Sequence, residues 1–136
     1  MRVVLDTNVL LSALISPHGA PELIYRAWRA GKFEIITSQT QLDELRRASR
    51  YPKFQNILQS HQVGAMINNL QRAIIIEHAI AEVEVSDPDD TFLLALASTG
   101  LADYLITGDR RAGLLQLKSH GKTRIVTPAA FCSEML

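Results

Sequence analysis

At 136 residues the chain is about one domain long and can bury roughly two thirds of its unfolded surface, so no metal or disulfide is needed to hold it together. Apolar residues make up 47% and charged residues 21%, which excludes a disordered chain; 14 basic against 14 acidic residues exclude a global positive field. Apolar runs such as AIII fall far short of the twenty or so residues that cross a bilayer. The single Cys132 cannot form an internal disulfide, and nothing at the N-terminus reads as a secretion signal, so the expected location is a reducing cytoplasm.

Arg2 to Leu5 is short, β-branched and apolar on both faces, as a strand inside a parallel sheet must be, and Asp6 ends it. From Ala20 to Ala30, Leu23, Ile24, Ala27 and Trp28 recur at helical spacing, with Pro21 suited to the first turn and Gly31 to a C-terminal cap. Phe33 to Thr37 predicts a second strand. Ser38 and Gln41 then form an S-x-x-Q capping box that opens a helix carrying Leu42, Leu45 and Ala48 and ending before Pro52. Val63, Met66, Ile67, Leu70 and Ile74 predict another amphipathic helix, with Ile74 to Ile76 open between its last turn and a strand.

Asp87 is the expected N-cap of a helix with Pro88 at its first position, its inward face Phe92, Leu93, Leu96 and Ala97, and Gly100 as its stop. Tyr104 to Thr107 predicts a strand, GLLQL a helix, residues 124 to 127 a last strand, and Pro128 the start of a terminal helix through Phe131 and Met135. Strands alternating with helices predict an α/β fold: a single domain over 1–136 with a parallel sheet and helices on both faces.

In such sheets ligands bind beyond the carboxyl ends of the strands. Asp6 and Asp109 both stand at or just past a strand end, and Asp90, in the first turn of its helix, faces the same edge if that helix packs as a crossover. Glu44 lies about 40° from Ala48 on the helical wheel, at the border of the apolar stripe, whereas Asp43 lies about 140° away and points outward. Each acid also has an ordinary explanation: Asp87 and Asp90 as capping acids, Asp6 and Asp109 as loop acids, Glu44 as a solvated helix acid. Together they would repel one another unless a cation compensated. An all-oxygen set suits Mg²⁺ or Mn²⁺, no Cys/His spacing suits zinc, and a pair of such ions about 4 Å apart promotes phosphodiester cleavage. His18, His61, His78 and His120 show no ligand spacing, and Cys132 has no paired base.

The stretches VLDTNVLLSAL, TSQTQLDELRRASRYPKF, DPDDTFLLALASTGLADYLITGD and RIVTPAAF, in that order, resemble the PIN-domain nucleases, specifically the branch of toxins related to the VapC proteins of toxin–antitoxin pairs. The resemblance implies that Asp6, Glu44, Asp90 and Asp109 are the four catalytic acids and together bind Mg²⁺ or Mn²⁺. It further implies supporting roles for Asn8, Thr107 and Ser38. A homodimer and an antitoxin protein partner are also implied. Many relatives place a further acid two residues after the fourth, whereas this chain runs into Arg110, Arg111, Ala112 and Gly113.

Arg110 and Arg111 beside Asp109, and Arg46, Arg47, Arg50 and Lys53, read as lying on the one helix that carries Glu44, would supply phosphate contacts without base specificity, although the second group is equally a solvated helix face. The expected function is thus a metal-dependent endoribonuclease acting on RNA, with no membrane association. The alternative is a PIN-fold RNA-binding or protein-interaction module with little cleavage. An aspartate-nucleophile phosphatase would need D-x-D where Asn8 stands, and a receiver domain would need a different acidic pair and a lysine near the last strands.

Overall fold

The computed structural model describes residues 1–81, 83–108 and 113–136. Strand β1 (Arg2–Leu5) keeps Val3, Val4 and Leu5 almost wholly out of solvent, as an apolar run without alternation demands. It lies between β2 (Glu34–Thr37) and β4 (Tyr104–Ile106), parallel to both, with Val4 opposite Ile36 on one side and Leu105 on the other. With β3 (Ile74–Ile75), β5 (Ser119–His120) and β6 (Thr123–Val126) the sheet reads β3-β2-β1-β4-β6-β5. Every pairing is parallel except β5 with β6.

Because successive strand residues point to opposite faces, Val3, Leu5 and Ile35 join one apolar cluster while Val4, Ile36 and Leu105 join the other. The first cluster is covered by α1 (Thr7–Ile15), α2 (Ala20–Arg29), α3 (Gln39–Ala48), α4 (Ser60–Leu70) and α7 (Pro128–Met135). The second is covered by α5 (Pro88–Gly100) and α6 (Leu114–Leu117). The mixed α/β sheet with helices on both faces is as the alternation predicted.

Several details depart from the sequence pattern. Helix α1 follows Asp6 at once, although the pattern placed the first helix only at Ala20. Its Val9, Leu10, Leu11 and Ala13 are all buried, and such a crowded apolar run carries no helical period to read. Residues 74–75 prove to be a strand, since Ile74 pairs with Ile36. The two-residue β5 closes a hairpin onto β6 with Gly121 at φ +58°, a turn that the pattern did not show. Phe92 is half-buried rather than a core residue.

Gly31 ends α2 as expected, at φ +79° with its N–H on the Trp28 carbonyl. Gly100 is the last residue of α5, where the stop was expected, but the left-handed residue is Leu101 at φ +55°. The glycine serves packing instead, because a Cβ there would come within 2.7 Å of Cδ1 and 2.8 Å of Cγ2 of the fully buried Ile36. Helix and sheet touch backbone to side chain at that point. Among the described residues no helix is long and apolar enough to cross a membrane.

At the amino ends of the strands Asp103 takes the Arg2 N–H at 2.8 Å and the Lys122 ammonium at 3.4 Å, tying β1, β4 and the β5–β6 turn. The Arg2 N–H, followed by Lys122, holds its carboxyl below the ordinary value. A depressed carboxylate stabilises the fold above the unfolded value and ceases to do so as pH falls through the folded one. Denaturant unfolding should therefore show wild type losing stability relative to Asp103→Asn as pH drops below about 4. For Gly100→Ala, overpacking against Ile36 outweighs the gain in helix propensity, and a net loss of about 1–2 kcal/mol is expected in the same measurement.

Candidate active site

From β1 the chain builds outward to β2 and β3 on one side and to β4 and β6 on the other, so the sheet has its topological switch beside β1. A crevice is expected beyond the carboxyl ends of β1 and β4, and Asp6 stands at its centre. Its backbone N–H continues the sheet onto the Ile106 carbonyl at 2.9 Å. One carboxylate oxygen caps α1 by accepting the Asn8 N–H at 3.2 Å; the other accepts the Thr107 hydroxyl at 2.8 Å. Thr107 is fully buried, and its own N–H is held by the Val126 carbonyl at 3.0 Å. Asp6 is thus both an N-cap and an oriented carboxylate at the strand mouth.

Helix α3 is fixed by a residue with no predicted part in the site. Ser38 caps it as expected, its hydroxyl accepting the Gln41 N–H at 3.2 Å. The Gln41 side chain, however, does not close the capping box. It is almost wholly buried, donates to the Leu5 carbonyl at 2.6 Å and accepts the Thr37 hydroxyl at 2.6 Å. The amide therefore clamps the ends of β1 and β2 to the first turn of α3. One turn later Glu44 emerges beside Asp6.

A cavity of about 430 Å³ is lined by Asp6, Asn8, Gln41 and Glu44 on this side and by Asp89 and Phe92 from α5. Arg47, Tyr51 and Lys53 complete the wall. Arg47 pairs with Glu44 one turn away, and the Glu44 carboxylate raises the guanidinium above its ordinary value. Arg47 is mostly exposed, so this pair is screened and weak. Asp90 is buried at 5% exposure in the first turn of α5, while its neighbour Asp89 reaches the cavity wall. The sequence DPDD offers no signal that separates the two.

Of the other predicted positions, Asn8 lines the cavity, Thr107 acts through Asp6, and Ser38 is buried at its cap. Arg46 and Arg50 face elsewhere: they line a separate cavity of about 150 Å³ against Leu58, Val63 and Ile67. Among the described residues the cations in the acid-lined wall are instead Arg47 and Lys53, the latter not on α3 but in the short 3-10 turn Pro52–Phe54. Asp109, Arg110 and Arg111 lie outside the described residues. Among the described residues no three His, Cys, Asp or Glu side chains form a group that could hold a metal ion.

A larger cavity, about 550 Å³, sits at the opposite ends of β1 and β2, with Leu23, Phe33, Cys132 and Met135 in its wall. Among the described residues no acidic side chain lines it. Burial pushes the Cys132 thiol up from its ordinary value, in keeping with an inert sulfur.

The sequence model of the PIN domain matches residues 2–111 of this chain. The chain belongs to the PIN-domain family. PIN domains are in general metal-dependent nucleases, so at the level of the family the domain is of nuclease type. An uncharacterised protein of Methanocaldococcus jannaschii is 28% identical over 144 residues, covering 98% of this chain and 91% of that protein. A chain in the crystal structure of VapBC2 from Rickettsia felis bound to a DNA fragment from its promoter superposes with a TM-score of 0.59. That match covers 93% of this chain and 98% of the other at 18% identity, a likeness of fold.

Truncating the buried clamp should be costly in this PIN domain. Gln41→Ala leaves the Leu5 carbonyl and the Thr37 hydroxyl without their partner, and a destabilisation of about 2–4 kcal/mol is expected from denaturant unfolding.

Proposed function

We infer that the chain is a Mg²⁺- or Mn²⁺-dependent endoribonuclease, the toxin of a toxin–antitoxin pair, in which Asp6, Glu44, Asp90 and Asp109 serve as the acids of the site. The observation that carries the reading is that Asp6 and Glu44, from β1 and α3, face one cavity at the carboxyl edge of a parallel sheet. The donor chemistry fits a hard divalent cation: Asp6, Glu44, Asp89, Asn8 and Gln41 bring carboxylate and amide oxygens to the wall, and among the described residues the cation paired with Glu44 is the Arg47 guanidinium. When bound, such a metal lowers the pKa of water and offsets charge on the phosphate.

The protein's own part is positioning. Thr107 and the Asn8 N–H hold both Asp6 oxygens, so this carboxylate is aimed before any ligand arrives. Gln41 sets the height of Glu44 on the sheet edge. Arg47, paired with Glu44 at the cavity wall, would offer its guanidinium to a substrate phosphate. The likeness to a VapBC2 chain supports an antitoxin protein as partner, and we take residues 1–136 to act as one domain, as a homodimer, in the cytoplasm.

The second reading, a PIN domain that binds RNA or protein without cleaving, is favoured by the Arg47–Glu44 pair, in which a cation of the chain already sits on one of the proposed acids. Cleavage separates the two. Purified, antitoxin-free protein should cut single-stranded RNA in Mn²⁺, and Asp6→Asn should lose at least about 100-fold of that rate, the upper range for losing a metal-site partner. No cleavage by wild type, or equal cleavage by Asp6→Asn, would overturn the nuclease.

A further inference from the structure

We propose that Tyr51 is a nucleobase platform, a stacking subsite in the wall of the acid-lined cavity that holds the base of a single-stranded RNA next to the bond to be cut. The proposal rests on the nuclease reading of that cavity. Tyr51 is 44% exposed, yet it lines the same space as Asp6 and Glu44, so a large aromatic ring stands open beside the carboxylates. Tyrosine, apolar in its ring and polar at its hydroxyl, suits a surface where one side is wet and the other receives a partner.

The backbone around Tyr51 is set rather than loose. Its N–H is bound to the Ala48 carbonyl at 3.1 Å, its carbonyl takes the Phe54 N–H at 2.8 Å, and Pro52 restricts the next residue. Phe54 packs against the core, and the Lys53 ammonium sits 5.0 Å from its ring centroid. Through Phe54 the core therefore holds both the backbone from which the Tyr51 ring projects and the charge of Lys53 at the cavity wall.

A ring that shares its cavity wall with Lys53, Arg47 and, from α5, Phe92 combines stacking surface with cations in one space. That is the pairing by which proteins hold unpaired nucleotides: the ring takes the base face and the cations take the phosphates. A cavity of about 430 Å³ has room for one nucleotide unit. An acidic peptide would use the cations and leave the open ring unexplained; a duplex would keep its bases stacked and out of reach.

The probe is a fluorescein-labelled, single-stranded 2′-O-methyl oligonucleotide in Mg²⁺, its integrity checked on a gel after anisotropy titration, together with a copy carrying one abasic position scanned along the strand. Tyr51→Ala should weaken binding roughly 5- to 100-fold, the range for losing one stacked base, while Tyr51→Phe stays within about twofold of wild type. One abasic position should cost wild type a similar factor and cost Tyr51→Ala little more. Equal affinity for wild type and Tyr51→Ala, an equal loss in Tyr51→Phe, or binding of an acidic peptide but no oligonucleotide would overturn the platform. RNA cleavage in Mn²⁺ by a Tyr51→Ala protein of undiminished affinity would sink this proposal alone, whereas absence of cleavage by wild type sinks the nuclease.

Discussion

The buried amide of Gln41 is the constraint on which the site depends. A carbonyl at the end of a central strand must find a donor, and water is excluded where Leu5 ends β1. Gln41 supplies that donor and in the same stroke accepts from Thr37 at the end of β2. Two short bonds thereby fix the angle and height at which α3 leaves the sheet. Glu44 follows three residues later, so its place relative to Asp6 depends on a neutral side chain that need not touch any ligand.

Asp6 shows a second economy. The same carboxylate that starts α1 also receives the Thr107 hydroxyl from the neighbouring strand. Its capping role does not compete with a chemical one, because an N-cap must stand at a strand end in this fold and that end opens on the crevice. Asp103 is the useful contrast. It stands before β4 rather than after a strand, and there the Arg2 N–H and Lys122 occupy its oxygens, leaving it to tie the strands together. Position along the strand direction, not residue type, separates the structural acid from the candidate catalytic one.

Charge in this protein is arranged locally. Acidic and basic residues balance overall, yet Arg47 and Lys53 stand beside the acids while Arg46 and Arg50, from the same short stretch, turn toward α4. A helix separates neighbouring residues by about 100°, so a run of basic residues on one helix cannot all serve one surface. The open ring of Tyr51 is placed by the 3-10 turn that follows, whose Phe54 is held by the core.

By itself the sequence determined the α/β class, most strands and helices, the caps at Ser38, Asp87 and Gly31, and the acids Asp6 and Glu44 as neighbours of one edge. These are written in local patterns: apolar runs without alternation, capping residues, and the wheel angle that favours Glu44 over Asp43. It hid α1, because burial on all sides erases the helical period, and it placed the end of α5 at Gly100 without showing that Leu101 takes the left-handed turn or that the close approach of Ile36 demands the glycine. Only the tertiary structure decided that Gln41 abandons its capping box to clamp two strands, that Asp89 rather than Asp90 reaches the cavity wall, and that Tyr51 stands open beside the acids. Those outcomes turn on which side chain meets which partner across the chain, and contacts of that range leave no mark in the spacing of neighbours.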